Sequence, residues 1–352
     1  MKKTSRVKKT IIITGFVLLA LAISCGGIAS RYYFIFYRPN VHHTQKPIYI
    51  YVPHDATFSS LMDSLDAKKC LRSRTSFVKA AEKERLHSRL KGGRYQLTFG
   101  MNNKAIVRTF ALGLQSPVNL VISGNIRSVE KLAAVLVRNL EVDSLRMVQA
   151  LTNEALINPF GFDSTSLFSL VLPNTYQVYW NSSPEKIVER LYKEYHRYWN
   201  QEKRDRAASI GLSILQVSTL ASIVQEETSY KPEMPTVAGV YMNRLKLGML
   251  LQADPTLKFA LGDPSIRRVL NRDMKVDSPY NTYKYKGLPP GPICVPSLAA
   301  LEAVLHYQTH NYLYFCANPN HNGSHLFATN LRDHNRNAKA WQQSLNQRGI
   351  MR

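Results

Sequence analysis

The longest apolar stretch of the chain runs from Thr10 to Ser30 and contains no charged residue. A helix of about 20 such residues is long enough to cross a lipid bilayer. Five basic residues precede the stretch and only Arg31 and Arg38 follow it, which places the N-terminus in the cytoplasm by the positive-inside rule. The pattern predicts a cytoplasmic basic tail at residues 1–9, a single transmembrane helix at 10–30, and everything after Pro39 outside the cytoplasm.

Two cleaved forms compete with this anchor. A signal peptide is the first, but the stretch is long and has no small-x-small exit site. A lipoprotein signal is the second, because Cys25 ends the sequence Leu-Ala-Ile-Ser-Cys; Ala22 stands where such signals usually carry Leu. The pattern favours an uncleaved anchor in the cell (inner) membrane, followed by a short linker at residues 31–45.

The pattern of apolar and polar positions then changes to short elements. After Pro47 the sequence Ile-Tyr-Ile-Tyr-Val, residues 48–52, predicts a strand by its β-branched and aromatic content. Two helical stretches follow at 55–67 and 74–84. A turn leads into a strand at 91–97, and a helix follows at 104–112. This order predicts a small α+β module over residues 46–115.

The rest of the chain, residues 116–352, is predicted to form one mixed α+β domain. A strand is expected at 117–122, and helical periodicity dominates from 128 to about 222. No internal repeat separates this part into smaller units. The fold class is therefore α+β: one N-terminal transmembrane helix, a small module, and a larger mixed domain.

Composition adds charge to this picture. Hydrophobic residues make up 45% of the chain and charged residues 20%, as in globular proteins. The net charge is +22, and the residues after the first 38 carry +15 of it. Such an excess favours an anionic lipid or wall polymer, although a solvated basic surface is an equal alternative. The location outside the cytoplasm argues against nucleic acid as a partner.

A helix predicted at Ser213–Thr228 carries the most suggestive acid. At 100° per residue, Glu227 lies on the same side as Leu220 and Val224, whereas Glu226 points more toward solvent. An inward carboxyl group beside the negative pole of a helix favours its protonated form, which general-acid catalysis requires. The alternative is a structural Glu in a buried salt bridge with Arg244.

Several motifs follow this helix in a fixed order. They are Val240-Tyr-Met-Asn-Arg-Leu245, Gly248-Met-Leu-Leu-Gln-Ala-Asp-Pro-Thr256, Tyr280-Asn-Thr-Tyr283, Gly287-Leu-Pro-Pro-Gly-Pro-Ile293, Tyr312-Leu-Tyr-Phe315, and the group His325, Phe327, Asn330, His334 and Asn335. Together they resemble the YceG-like (MltG) family of endolytic peptidoglycan transglycosylases, most densely from Leu220 to Asn335.

The resemblance implies the catalytic residue. In the family, the second Glu of a Glu-Lys-Glu-Thr run carries the chemistry, and Glu227 matches it here. Gln225 replaces the first Glu of that run, and Asn174 replaces the Asp that many relatives carry before Thr175. Neither position is therefore expected to be essential. The resemblance also implies that residues 46–115 form a LysM-like module.

The implied reaction is cleavage between N-acetylmuramic acid and N-acetylglucosamine in nascent glycan strands, leaving 1,6-anhydro ends and limiting strand length. It needs no cofactor, and it implies partnership with peptidoglycan synthases. Two alternatives stay open. One is a hydrolytic muramidase that uses Asp254 as a second carboxylate, and the other is a wall-binding scaffold without turnover.

Polar residues in the motifs are expected to bind the sugars. The candidates are Gln252, Asp254, Asn281, Tyr283 and Asn330; each can equally stabilise a loop. No metal site is expected, because Tyr307 stands where a His306–His310 zinc motif needs Glu. Whether Cys294 and Cys316 form a disulfide is left open.

Overall fold

The computed structural model describes residues 2–42, 46–262, 266, 269–320 and 323–348. Within these residues the chain has a mixed α+β structure, and its strands form three two-stranded sheets. The chain divides into two compact units. The first contains Met1–Val118, Asn139–Glu141 and Gln177–Ser182, and the second contains Asn119–Arg138, Val142–Tyr176 and Ser183–Arg352.

The first unit begins with one long helix and continues with short elements. In chain order these are α1 (Lys2–Phe36), β1 (Ile48–Val52), α2 (Phe58–Ala67), α3 (Arg74–Lys83), β2 (Gly93–Leu97) and α4 (Asn103–Leu112). Part of α1, Ile12–Phe36, is apolar and long enough to cross a membrane, which is consistent with an anchor or a signal sequence.

Strands β1 and β2 pair in antiparallel register, with Ile50 opposite Tyr95. Every second side chain of β2 is buried, so the strand covers the core of this unit with one face. Helices α2, α3 and α4 each begin at a polar residue that accepts a hydrogen bond from the third backbone N–H of the helix. The predicted order of strand, two helices, strand and helix is confirmed, with ends displaced by a few residues.

The end of α1 is part of the core of the first unit. Ile35 and Phe36 are buried there, and the fully buried amide of Asn103 donates to the carbonyl oxygen of Ile35 at 2.7 Å. The amide of Asn40 donates to Oδ1 of Asn103 at 2.6 Å, while its own Oδ1 accepts from the backbone N–H of Ser73. These paired amides join the helix to the unit, and we call them the Asn40–Asn103 clamp.

The segment expected to be a linker is therefore mostly structured. Helix α1 continues to Phe36, and Pro39 and Val41 form isolated antiparallel bridges with Asn102 and Leu71. Residues 31–36 contain no proline or glycine that would end the helix. Residues 43–45 of the expected linker lie outside the described part of the chain.

The second unit is mainly helical. The chain passes between the two units within two strands, β3 (Val118–Val121) and β4 (Thr175–Val178). The other elements of the second unit are, in chain order, α5 (Val129–Val137), α6 (Ser144–Thr152), α7 (Glu154–Ile157), α8 (Leu167–Leu170), α9 (Pro184–Tyr198), α10 (Gln201–Ser209), α11 (Ile214–Glu227), α12 (Met234–Lys246), α13 (Asp254–Leu261), α14 (Leu298–Leu305), β5 (Tyr314–Ala317), β6 (His325–Ala328) and α15 (Leu331–Gln347). Helices α11, α12 and α14 pack around one core, and β5 pairs antiparallel with β6.

Helix α11 lies at the centre of this unit. Every residue from Val217 to Val224 is buried, so the helix is covered on both sides and not only along its apolar face. The second face consists of small and hydroxyl side chains that bond within the helix: Thr219 donates to the carbonyl of Leu215, and Ser222 donates to that of Thr219. The buried hydroxyl groups of Thr219 and Ser222 are therefore satisfied without charge.

Replacing Asn103 by Ala tests the clamp. The change leaves the carbonyl of Ile35 buried without its side-chain donor and leaves the amide of Asn40 with only the carbonyl of Ser73 as acceptor, which costs about 1–3 kcal/mol. We expect faster hydrogen exchange of the backbone at residues 36–42 and 101–106, measured by mass spectrometry on the full chain in nanodiscs. Asn139→Ala, at an exposed position of the same unit, is the control. Equal exchange in both variants would show that the clamp does not hold α1.

Candidate active site

Glu227 is the last residue of α11 and is only half-buried. The helix is fixed at its other end by a capping box, in which Ser213 and Gln216 bond each other's backbone N–H groups. At the Glu227 end, the hydroxyl of Tyr241 donates to Oε1 of the carboxylate at 2.7 Å. Tyr241 lies on α12 and is itself fully buried, so its hydroxyl is held in place. One carboxylate oxygen therefore has a fixed donor.

The surroundings of Glu227 raise its pKa from 4.5 to about 7. Burial is the main cause, because it disfavours the charged carboxylate, and the charge of Asp254 adds to it. The Tyr241 hydrogen bond and the charges of Arg244 and Lys258 act in the opposite direction. Burial also raises the pKa of Tyr241 well above its usual value, so Tyr241 is a neutral donor. Glu227 can therefore hold a proton near neutral pH.

Arg244 does not form the salt bridge that the sequence left open. Its Nε donates to the carbonyl of Leu313 and its Nη1 to the carbonyl of Leu251, both at 2.7 Å. The guanidinium also lies over the ring of Tyr314, 5.3 Å from its centroid. Arg244 therefore joins α12 to the segments before α13 and β5. Its positive charge still acts to lower the pKa of Glu227, although the two side chains form no ion pair.

The expectation that Glu226 points toward solvent is wrong. Its side chain is only 7% exposed and forms an ion pair with Arg127, from the loop before α5. The reason is the second covered face of α11, which Glu226 shares with Ser222 at helical spacing of four residues. Burial raises the pKa of the Cys294 thiol well above its usual value, and Glu226 is among the groups that add to the rise. The sequence did not identify this pair, because Arg127 is about 100 residues away.

Gln225 has a structural role at this face. Its Oε1 accepts from the backbone N–H of Ser297, the cap of α14, at 2.6 Å. Its amide donates to the carbonyl of Val295 at 3.2 Å. The residue that replaces the family's Glu therefore joins α11 to α14.

The segment around Asp254 is held by Thr282. The backbone N–H of Gln252 donates to the carbonyl of Thr282, and the hydroxyl of Thr282 accepts from the backbone N–H of Ala253. Gln252 has a φ of 49°, an uncommon backbone conformation for a residue with a side chain, and its side chain is exposed. Asp254 begins α13, is exposed, and accepts a hydrogen bond from the hydroxyl of Tyr283. Gln252, Asp254 and Tyr283 are thus brought together.

Asn281 and Asn330 have roles within loops. Asn281 is fully buried, and its amide donates to the carbonyls of Met274 and Val276. Asn330 caps α15 by accepting from the backbone N–H of Asp333. Both side chains satisfy backbone groups, so the loop-stabilising alternative describes them better than a sugar contact.

The histidines do not gather around one point. Among the described residues no cluster of three potential metal ligands occurs, and His321 lies outside them. His310 bonds Thr236 and Tyr312 through its two ring nitrogens, and exposed His306 lies 3.5 Å from Glu302. Cys294 and Cys316 are free thiols.

The proline-rich segment contributes to an open cavity. Gly291 lies so close to the carbonyl oxygen of Thr165 that a Cβ atom would be 1.9 Å from it, which accounts for glycine between two prolines. Pro290 lines a cavity of about 530 Å³ together with Asp277, Pro279, Tyr285 and Leu288.

Comparisons with known proteins identify the family that this chain resembles. The YceG-like family model matches residues 50–340. The endolytic murein transglycosylase of Bacillus subtilis (strain 168) is 29% identical over 314 residues, which cover 85% of this chain and 86% of that protein. The protein of the same name from Streptococcus pneumoniae serotype 2 is 31% identical over 175 residues, which cover 47% of this chain and 31% of that protein. A 2.6 Å crystal structure of a YceG-like protein from Listeria monocytogenes superposes with a TM-score of 0.54 at 26% identity, over 83% of this chain and 99% of that one.

Glu227→Gln is expected to stabilise the protein at high pH. A carboxyl group whose pKa rises on folding stabilises the native state fully below pH 4.5, and this contribution is lost as the pH rises through about 7. The wild type should therefore lose up to about 3 kcal/mol relative to the variant between pH 4 and pH 8. Calorimetric unfolding of the full chain in detergent measures the difference. Glu226→Gln loses the Arg127 ion pair and should not be more stable than the wild type at pH 8. If Glu226→Gln were stabilised at this pH and Glu227→Gln were not, the burial assigned to Glu227 would be contradicted.

Tyr241→Phe is expected to raise the pKa of Glu227 above about 7. The hydroxyl stabilises the charged carboxylate, so its removal favours the protonated form. A ¹³C NMR titration of carboxyl-labelled glutamate, with the resonance assigned by Glu227→Gln, measures the shift. Tyr307→Phe, which removes a hydroxyl bonded to Lys246, is the control and should leave the titration unchanged. An unchanged or lower pKa in Tyr241→Phe would refute the role of this hydrogen bond.

Proposed function

The chain belongs to the YceG-like family, and we propose that it is an endolytic lytic transglycosylase that cleaves peptidoglycan glycan strands with Glu227 as its acid and base. The observation that carries the proposal is the environment of Glu227, a half-buried carboxyl group with a neutral donor and a pKa near 7. Catalytic carboxylic acids are tuned in this way by burial. The murein transglycosylase of Bacillus subtilis, similar over most of both chains, supports the same assignment.

The reaction uses Glu227 twice. The protonated carboxyl group gives its proton to the glycosidic oxygen between N-acetylmuramic acid and N-acetylglucosamine, and the C1–O bond breaks. The resulting carboxylate then takes the proton of the muramic C6 hydroxyl, whose oxygen bonds to C1. The acid is regenerated and the product carries a 1,6-anhydro ring, so no water is consumed. A pKa near 7 suits both steps, because it balances proton donation and proton removal.

Tyr241 helps Glu227 in both steps. Its hydroxyl bonds Oε1 and leaves the other carboxyl oxygen for the substrate. In the second step the same hydrogen bond stabilises the carboxylate that has formed.

Gln252, Asp254 and Tyr283 are the proposed sugar contacts. Gln252 and Asp254 are exposed, and Tyr283 bonds Asp254, so the three form one polar surface. The charge of Asp254 acts on Glu227, which places both carboxyl groups in one electrostatic environment. Asp254 orients a sugar in this proposal. In the muramidase alternative it would instead activate water.

The first unit is proposed to be a LysM-like module on a membrane anchor. Its antiparallel β1–β2 pair encloses α2 and α3 in sequence, as expected for such a module. The anchor is supported by the apolar length of Ile12–Phe36 and by the five basic residues that precede the apolar stretch. A single-pass protein with a cytoplasmic N-terminus would act on nascent strands at the outer face of the cell membrane, beside the synthases that make them.

The mass of the products tests this function. The full chain in nanodiscs is incubated with uncrosslinked glycan strands, and the fragments are analysed by mass spectrometry. A lytic transglycosylase gives fragments one water lighter than hydrolysis products, and Glu227→Gln lowers their rate of formation by about 100- to 10,000-fold.

Asp254→Asn separates the alternatives. A transglycosylase keeps its anhydro products in this variant and loses substrate affinity. A muramidase gives products of full hydrolytic mass and loses them in Asp254→Asn. A scaffold gives no cleavage, and Glu227→Gln then leaves strand binding unchanged.

A further inference from the structure

A second buried carboxylate, Glu233, lies six residues after Glu227 in the sequence. Glu233, at the end of the short 3₁₀ helix Lys231–Glu233, is 7% exposed. Its Oε1 accepts from the hydroxyl of Thr228 and from Nδ1 of His325, both at 2.6 Å. Its Oε2 accepts from the backbone N–H of His325 at 3.0 Å. Three donors from two distant parts of the chain thus converge on one acid.

The hydrogen bond to Glu233 indicates which ring nitrogen of His325 carries the hydrogen. Carboxylate oxygens accept hydrogen bonds, so the 2.6 Å contact assigns the shared hydrogen to Nδ1 of His325. The side chain of His325 is 16% exposed, and that of Glu233 is 8% exposed. Burying a carboxylate costs free energy unless hydrogen-bond donors satisfy it. The three donors on Glu233 meet this requirement.

We propose that Glu233 and His325 are positioning residues that hold the carboxyl group of Glu227 against Tyr241. The inference rests on the proposed function, in which Glu227 is the acid and base. Neither residue needs to touch the substrate for this role.

The first route to Glu227 is along the chain. Thr228 follows Glu227 directly, is 4% exposed, and leaves the helix in an extended conformation with φ −140° and ψ 136°. Its hydroxyl donates to Glu233 and also accepts from the backbone N–H of Tyr230. The turn that follows the catalytic residue is thereby fixed to Glu233.

The second route is through aromatic rings. The ring of His325 packs edge-on against Phe315, with centroids 5.4 Å apart, and Phe315 packs edge-on against Tyr241 at 6.0 Å. Tyr241 donates to Glu227. Movement of His325 therefore changes both the backbone end and the hydrogen-bond donor of the catalytic group.

Paired variants test the proposal in the full chain. Thr228→Ser and His325→Asn keep a donor near its position, whereas Thr228→Val and His325→Leu remove it. The control is His306→Leu, which removes a histidine from an exposed pair with Glu302. Melting temperatures are measured for all five, so that kinetic constants are compared among folded proteins.

We expect kcat to fall at least about tenfold in Thr228→Val and His325→Leu, with KM within about twofold of wild type, since a 1 Å misplacement can cost ~100-fold. The high-pH limb of the rate profile should move upward, because a weaker Tyr241 bond disfavours the carboxylate. Thr228→Ser, His325→Asn and His306→Leu should resemble wild type. Equal effects of the conservative and the removing variants, or a limb that stays or moves downward, would overturn the proposal.

A titration without substrate separates this inference from the proposed function. The ¹³C resonance of the Glu227 carboxyl group should titrate at higher pH in His325→Leu than in wild type, and normally in His325→Asn. If the wild type forms no anhydro products, the proposed function fails while this titration still decides the positioning role. If anhydro products form and the titration is the same in both variants, only the positioning role fails.

Discussion

The candidate site depends on the burial of one carboxyl group beside a donor that carries no charge. Glu226 and Glu227 are adjacent on the same helix end, yet one faces the guanidinium of Arg127 and the other the phenol of Tyr241. The guanidinium provides a full opposite charge and forms an ion pair with Glu226. A phenol provides a hydrogen bond alone, which offsets only part of the cost of burial. Glu227 can consequently gain and lose a proton near pH 7, and the proposed chemistry depends on that balance.

Helix α11 makes this arrangement possible because both of its faces are covered. The apolar face packs into the core with α12 and α14, and the face of Ser, Thr and Ala allows the segment around Ile293 to approach closely. The backbone N–H of Ile293 donates to the hydroxyl of Ser222 at 3.0 Å. A larger side chain at this face would separate the two segments. The small residues therefore determine where Glu226 and Glu227 lie, although they take no part in the chemistry.

Local patterns predicted the elements well and the contacts between them poorly. The order of strands and helices in the first unit, and the inward position of Glu227, follow from periodicities of two and 3.6 residues within one segment. The burial of Glu226 does not, since hydroxyl and alanine side chains look polar or neutral in sequence although their face is packed. No spacing in the sequence pointed the hydroxyl of Tyr241 at an acid 14 positions earlier. Asn281 and Asn330 were sensible sugar contacts by residue type, but only the backbone around them shows that their amides are already satisfied.

In the described part of the chain, two of the buried polar networks join segments that are especially distant in sequence. The Asn40–Asn103 clamp joins the end of α1 to the first unit across 63 positions, and the Glu233–His325 pair joins the turn after α11 to β6 across 92. Apolar side chains of similar volume could supply comparable stability at such places. They would tolerate sliding, because dispersion forces have little directional preference, whereas hydrogen bonds with every group satisfied have one arrangement. Networks of this kind are expected where a displacement of about 1 Å matters more than stability does, as it would for the acid of the proposed reaction.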